Sequence, residues 1–161
     1  MDDELPRGTT ILPPIAVIHF DGACQPPRGG GVAAYGFTIE GAVEHEDCGL
    51  AVRPGSAHAT NNVAEYVAAI SALEWLKRQG FQGAVELYGD SQLVVRQMNG
   101  EYEVRAEHLK AYRDLLERLS QGFAASRFIW VPREENTRAD ELSKFAVAAE
   151  VGRVRSRERP D

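Results

Sequence analysis

The stretch that most constrains the fold is residues 15–20, a run of apolar and aromatic side chains rich in β-branched types. Such a run is typical of a strand that is buried on both faces, at the centre of a sheet covered by helices. Asp21 and Gly22 follow it directly. A carboxylate at the tip of a central strand, next to a residue that lets backbone approach closely, can hold a metal ion. Asp-Gly is also a turn signal, and the pair alone does not decide between a turn and a site.

Composition is ordinary for a globular protein. The 161 residues predict one domain that is long enough to bury a real core. No apolar run approaches the roughly 20 residues that cross a bilayer, and the acidic residues 1–4 are unlike a secretory signal. We therefore expect a cytoplasmic protein with no membrane partner, and a monomer. The net charge of −6 argues against binding nucleic acid by bulk electrostatics alone, but it leaves room for a local basic track.

Two hydrophobic periods divide the chain into strands and helices. Short apolar or alternating runs predict strands at residues 15–20, 32–40, 43–52, 84–88 and 126–131. Apolar spacings of three and four residues predict helices at residues 60–79, 91–98, 105–119 and 136–150. The first three strands form an antiparallel meander, and crossovers through helices make strands one, four and five parallel neighbours. The predicted fold is α/β, with a five-stranded mixed sheet flanked by helices.

Acidic residues occur where these elements meet one edge of the sheet. Asp21 ends the first strand and Asp90 ends the fourth, and the carboxyl ends of parallel neighbours lie on one edge, where α/β folds bind ligands. Glu65 and Asp140 lie in the first turns of the helices that begin near residues 60 and 136. Helices that start beside this edge can point both side chains back over it. The pattern predicts a cluster of carboxylates.

Each of these acids also has a purely structural explanation. Glu65 could close a capping box with Asn62. Asp90 could cap the helix that begins at residue 91, and Asp140 could favour the positive end of a helix dipole. Taken singly, these explanations are the better ones. Together, such coincidences at one edge of a sheet favour a site.

The segments around these acids resemble the motifs of a known family. They are Phe20-Asp21-Gly22-Ala23-Cys24, Thr60-Asn61-Asn62-Val63-Ala64-Glu65, Tyr88-Gly89-Asp90-Ser91-Gln92 and Asn136-Thr137-Arg138-Ala139-Asp140. In order and in register, they resemble the four motifs of ribonuclease H, type 1, over residues 15–147. The resemblance implies a ribonuclease-H-like fold and cleavage of the RNA strand of an RNA/DNA hybrid, which would give 5′-phosphate products.

The resemblance also implies two Mg²⁺ ions, with Mn²⁺ as an alternative. It implies that Asp21 bridges both ions, that Asp140 holds the ion on the attacking-water side, and that Glu65 and Asp90 hold the leaving-group ion. Mg²⁺ prefers hard oxygen ligands. Two ions about 3.5–4 Å apart can activate a water and stabilise the departing oxygen. Carboxylates crowded in this way would repel one another without metal.

Further residues match substrate-binding positions of the family. Asn61, Asn62 and Gln92 match residues that contact the minor groove of the hybrid, and Thr60 matches a contact to a DNA-strand phosphate. Amides suit groove contacts, because they offer donors and acceptors to sugars and base edges without demanding one sequence. Asn61 and Asn62 could instead cap their helix. Gly22 is a further residue that we expect to contact the substrate.

Three departures resemble the shorter branch of the family that lacks the basic handle. The loop at residues 130–136 has no histidine, and Arg133 or Glu134 is the candidate substitute. Residues 98–103 pass directly to the next helix without the handle. Residues 25–29 replace a loop whose asparagine touches phosphate, and Arg28 is the candidate substitute. These changes bear on substrate affinity and hybrid selectivity rather than on metal chemistry.

We interpret the chain as a metal-dependent endoribonuclease acting on RNA/DNA hybrids. One alternative keeps the fold and metals but cuts double-stranded RNA or DNA junctions. Others are a non-catalytic hybrid-binding module, or a purely structural α/β domain.

The predicted domain covers residues 15–150, between a loose lead-in at residues 1–14 and a disordered tail at residues 151–161. The tail arginines are expected either to touch substrate phosphates or simply to be solvated; they are Arg153, Arg155, Arg157 and Arg159. Cys24 and Cys48 are expected to be reduced thiols, because they form neither a disulfide framework nor a zinc-ligand spacing.

Overall fold

A five-stranded mixed sheet with the strand order β3-β2-β1-β4-β5 forms the centre of the protein. The computed structural model describes residues 12–26 and 29–158. The strands are β1 (Ile15–Gln25), β2 (Val32–Gly41), β3 (His45–Leu50), β4 (Ala84–Gly89) and β5 (Ala125–Trp130). The helices are α1 (Asn61–Arg78), α2 (Gln92–Met98), α3 (Glu107–Ser120) and α4 (Thr137–Glu158), and a 3₁₀ turn at Arg133–Glu135 precedes α4.

The pairing of the strands confirms the predicted fold class. β1 pairs antiparallel with β2, and β2 pairs antiparallel with β3. β4 lies parallel to both β1 and β5, as the helical crossovers predicted. No helix in the described ranges is long and apolar enough to cross a membrane.

Helices cover both faces of the sheet, and consecutive residues of β2 show this directly. Ala33 is buried against Ala59 and Ala64, on the side of α1. Ala34 is buried against Ala146 and Val147 of α4. Side chains alternate across a strand, so α1 and α4 lie on opposite faces. The main core lies on the α1 side, where α1, α2 and α3 pack over β1, β2 and β4.

The first strand does not end where the sequence predicted. β1 continues through Asp21 to Gln25, because β2 pairs with it along that whole length, from Asp21↔Gly36 to Gln25↔Val32. The parallel pairing with β4 stops at Phe20↔Gly89. Asp21 therefore lies at the end of the parallel part of the sheet rather than at the end of its strand.

The last helix is longer than predicted, and the expected disorder of the tail is wrong for residues 151–158. α4 continues to Glu158. Arg153 donates to Glu150 at 2.7 and 3.0 Å one turn away, and Val151 packs against the cluster around Ala34. Both contacts support helix beyond residue 150. Arg159 lies outside the described residues.

At the other end of the chain, residues 1–11 also lie outside the described residues. The carbonyl of Pro14 accepts a hydrogen bond from the Ala84 N–H at 2.8 Å, so the end of the predicted lead-in is tied to β4. The division of the chain into a domain and two flanking segments is otherwise still a prediction. Cys24 and Cys48 are free thiols that pack into different clusters, one on each side of the sheet.

Candidate active site

Three buried or half-buried carboxylates converge at the edge of the sheet where the parallel pairing ends. Asp21, Glu65 and Asp90 each offer an oxygen, and these oxygens all lie within 4.8 Å of one another. Within residues 12–26 and 29–158, no other group of three or more acidic, histidine or cysteine side chains is placed in this way. Asp21 and Glu65 are only 3% and 6% exposed, a degree of burial that acidic side chains almost never reach unless they are paired.

A glycine brings Glu65 to Asp21. A Cβ atom on Gly22 would lie 2.4 Å from the backbone nitrogen of Glu65, so only glycine lets the start of α1 pack this closely on β1. The Gly22 N–H also donates to Asp21 Oδ1 at 2.9 Å. Glu65 Oε2 is buried and has no hydrogen-bond partner. An unpaired buried oxygen of this kind is costly unless a ligand satisfies it.

Asp90 is held by residues from the far end of the chain. The indole N–H of Trp130, at the end of β5, donates to the Asp90 backbone carbonyl at 3.2 Å. Asn136 Nδ2 donates to Asp90 Oδ2 at 3.4 Å and to the Phe20 carbonyl at 2.9 Å. Asn136 precedes α4, as the sequence predicted, but its side-chain oxygen accepts no hydrogen bond and therefore does not cap the helix.

Asp140 lines the same cleft, although it does not belong to the group of three carboxylates. The cleft has a volume of about 390 Å³, and its walls include Asp21, Glu65, Asp90 and Asp140. Asp140 Oδ2 forms an ion pair of 2.9 Å with Lys144 Nζ, one turn along α4. The fourth predicted ligand thus faces the site while it is paired with a cation on a long, flexible side chain.

Burial and crowding favour the protonated form of the three clustered acids. Burial raises the pKa of Asp21 to about 7, a hydrogen bond with Glu65 opposes the rise, and the nearby Asp90 and Asp140 add to it. Burial and the charge of Asp21 hold the pKa of Glu65 well above its usual range. Burial also raises the pKa of Asp90, while the hydrogen bond from Asn136 opposes the rise. A divalent cation among these oxygens would favour their ionised form instead and lower the pKa values.

Four of the seven residues predicted to bind substrate line the cleft: Gly22, Asn61, Asn62 and Arg133. Two others lie nearby but not on its walls. Thr60 is the N-cap of α1, and its hydroxyl accepts a hydrogen bond from the Val63 N–H at 3.2 Å, so Asn61 and Asn62 do not perform that role. Gln92 is exposed at the start of α2, next to Ser91 on the wall. Arg28 lies outside the described residues.

Sequence reasoning missed several residues of the site. Lys144 could have been found from its position four residues after Asp140, since residues at that spacing share a helix face. Ser91 follows Asp90 directly, but it is also the N-cap of α2 and gives no separate signal. Nothing in the sequence pointed to Trp130, because its contact with Asp90 depends on the register of β5 against β4.

Comparison with known proteins shows the family of this chain. A family model described as "Reverse transcriptase-like" matches residues 19–146. Ribonuclease H of Rhodopseudomonas palustris strain HaA2 is 37% identical over 145 residues, which cover 80% of this chain and 83% of that protein. The chain belongs to the ribonuclease H family. Ribonuclease HI of Halobacterium salinarum is 39% identical over 132 residues, which cover 80% of this chain and 62% of that relative.

Solved structures of ribonuclease H proteins share the fold. The crystal structure of RNase H1 from Halobacterium salinarum has a TM-score of 0.72 at 37% identity, covering 84% of this chain and 98% of that one. LC11-RNase H1 in complex with an RNA/DNA hybrid has a TM-score of 0.73 at 33% identity, covering 84% and 99%. The chain spans only part of its first curated relatives, 62% of the halobacterial protein and 35% of a bifunctional protein of Mycobacterium tuberculosis.

Proposed function

We propose that this chain is a metal-dependent endoribonuclease that hydrolyses the RNA strand of RNA/DNA hybrids. The observation that carries the proposal is the convergence of Asp21, Glu65 and Asp90 within 4.8 Å, in a chain of the ribonuclease H family. A module that only bound a hybrid would have no need to place three acids this close together. LC11-RNase H1, which resembles the chain in structure and sequence, is itself complexed with an RNA/DNA hybrid.

The residues present suit divalent cations. All the candidate ligands are carboxylate oxygens, which are the hard donors that Mg²⁺ and Mn²⁺ prefer. Glu65 Oε2 is buried with no hydrogen-bond partner. Burial, together with the neighbouring acids, raises the pKa values of Asp21 and Asp90, so a bound cation would relieve the cost of ionising them. Asp21, Glu65, Asp90 and Asp140 would hold two ions. When bound, these ions would supply an activated water and stabilise the departing oxygen of the phosphodiester.

The remaining residues of the cleft bind and orient the substrate. Asn61 and Asn62 stand at the start of α1, and their amides can donate to and accept from ribose hydroxyls and base edges. Contacts to the 2′-hydroxyl distinguish RNA from DNA. Arg133, in the 3₁₀ turn before α4, offers a guanidinium for a phosphate. Lys144 balances the charge of Asp140. A monomer and a cytoplasmic location are further parts of this proposal, supported so far by the sequence alone.

A panel of duplexes tests the proposal. Purified protein is incubated with a labelled RNA/DNA hybrid, an RNA duplex and a DNA duplex, in Mg²⁺ or Mn²⁺ and then with EDTA. We expect cleavage of the RNA strand of the hybrid, with 5′-phosphate ends, in either metal and none in EDTA. Failure of a folded sample to cut the hybrid in both metals would refute the proposal. Equal cleavage of the RNA duplex would replace hybrid selectivity with the broader substrate class.

A further inference from the structure

One buried side chain links the elements that carry three of the four acids. The Asn136 amide nitrogen donates to the Phe20 carbonyl at 2.9 Å, immediately before Asp21 on β1. The same nitrogen donates to Asp90 Oδ2 at 3.4 Å, beyond the end of β4. The backbone carbonyl of Asn136 accepts from the Asp140 N–H at 3.1 Å, in the first turn of α4. Asn136 therefore contacts the segments that carry Asp21, Asp90 and Asp140.

These contacts lie at the point where the sheet no longer fixes the geometry. The parallel pairing of β1 with β4 ends at Phe20↔Gly89, one residue before each aspartate. Beyond that pair, no backbone ladder fixes the distance between Asp21 and Asp90. The two hydrogen bonds from the Asn136 amide span that gap.

The cost of this arrangement suggests more than a role in folding. Asn136 is only 1% exposed, and its Oδ1 atom is buried with no hydrogen-bond partner. A residue kept only to start α4 would use this oxygen to accept from a helix N–H. Instead, the side chain donates to β1 and to the Asp90 carboxylate and leaves its acceptor unpaired, although unpaired buried polar atoms are rare.

We infer that Asn136 is a positioning residue that holds the carboxylates of Asp21 and Asp90 at the spacing a divalent cation requires, and so sets the affinity of the site for that cation. It touches neither the cation nor the RNA. This inference rests on the proposed function, since it assumes that the acids bind metal. Partners that orient metal ligands typically change metal affinity by about 10- to 100-fold when they are removed.

Asn99 provides a matched control. Its amide nitrogen also donates to a strand carbonyl, that of Phe128 on β5, at 3.1 Å. Asn99 is exposed and does not line the catalytic cleft. Asn99→Ala therefore removes the same kind of bond, between a side-chain amide and a strand carbonyl, without disturbing the acids.

The test is calorimetric titration of Mn²⁺ into wild type, Asn136→Ala and Asn99→Ala in the absence of nucleic acid. We expect Asn136→Ala to bind Mn²⁺ about 10- to 100-fold more weakly, and Asn99→Ala to bind like wild type. In hybrid cleavage, the metal concentration for half-maximal rate should rise by the same factor in Asn136→Ala. The KM for the hybrid at saturating metal should change by less than about threefold, because positioning of the metal ligands acts on metal binding first.

The other outcomes distinguish failure of this inference from failure of the proposed function. Unchanged Mn²⁺ affinity in a folded Asn136→Ala protein would overturn the inference, even if its melting temperature fell. No Mn²⁺ binding by wild type would instead refute the proposed function. If Asn136→Ala does not fold, Asn136→Ser takes its place, because the shorter hydroxyl cannot reach both acceptors at once. Asn136→Ser must then bind Mn²⁺ more weakly than Asn99→Ala, and equal binding would again overturn the inference.

Discussion

Replacing Asp21 with asparagine should stabilise the metal-free protein while abolishing its activity. Burial raises the pKa of Asp21 from 3.8 to about 7. The folded state therefore binds more protons than the unfolded state between these values, so stability falls as pH rises through that window. Asparagine has no proton to lose, and its side-chain oxygen can keep the hydrogen bond from the Gly22 N–H. The substitution removes a cost that the wild type carries at neutral pH.

The size of the effect follows from the pKa values. A rise from 3.8 to about 7 corresponds to about 4 kcal/mol of unfolding free energy. The advantage of Asp21→Asn should thus be small at pH 4, grow between pH 4 and 7, and reach about 4 kcal/mol by pH 8. For a domain of this size, the melting temperature at pH 8 should rise by on the order of 10 °C.

Thermal unfolding in EDTA, measured by circular dichroism from pH 4 to 8, provides the assay. Asp47→Asn is the matched control, because Asp47 Oδ1 accepts from the next backbone N–H at 2.8 Å in the same way but is exposed on β3. We expect this control to follow wild type at every pH. Added Mg²⁺ should raise the melting temperature of wild type but not of Asp21→Asn. The reasoning would be refuted if the difference in melting temperature between Asp21→Asn and wild type did not grow with pH, or if Asp21→Asn were less stable than wild type at pH 8.

Three further predictions concern residues in and beside the cleft and the arginines at the end of α4. Asn62→Ala and Gln92→Ala should raise the KM for the hybrid more than they lower kcat, and a loss confined to kcat at saturating substrate would contradict a binding role. Gly22→Ala should lower the free energy of unfolding by about 1–3 kcal/mol in a denaturant titration, because the added Cβ would lie 2.4 Å from the backbone of α1. An unchanged midpoint would show that the close packing is not required. Joint replacement of Arg155 and Arg157 by alanine should flatten the salt dependence of hybrid affinity; on B-DNA, the log–log slope changes by about 0.9 for each phosphate neutralised. An unchanged slope would show that these arginines are only solvated.

The fold was predictable because its signals are local. Apolar periodicity found each strand and helix, and the helical crossovers predicted that β1, β4 and β5 are parallel neighbours. The errors occurred where tertiary contacts override local signals. Nothing near Asp21 shows that β1 runs on to Gln25, because that extension depends on pairing with β2. The end of α4 was missed because the Arg-rich segment is polar, while its helix is supported by the Glu150–Arg153 ion pair.

The sequence predicted which acids form the site, but not the contacts that hold them in place. The predicted strand ends and helix starts placed Asp21, Glu65 and Asp90 at one edge, and the structure brings them together. The helical tail changes the expectation that its arginines contact substrate phosphates as one group. Arg153 is paired with Glu150, and residues two apart on a helix point to different sides. The sequence predicts that Asn136 begins a helix, and only the tertiary structure shows its amide between β1 and Asp90.

The binding of metal by the clustered acids can be observed directly by anomalous X-ray diffraction from crystals soaked in Mn²⁺. We expect anomalous density within coordination distance of Asp21, Glu65 and Asp90. Asp21→Asn crystals should lose the density. Strong anomalous density elsewhere on the protein with none at these acids, or density that persists unchanged in Asp21→Asn, would contradict the assignment of this cleft as the catalytic metal site.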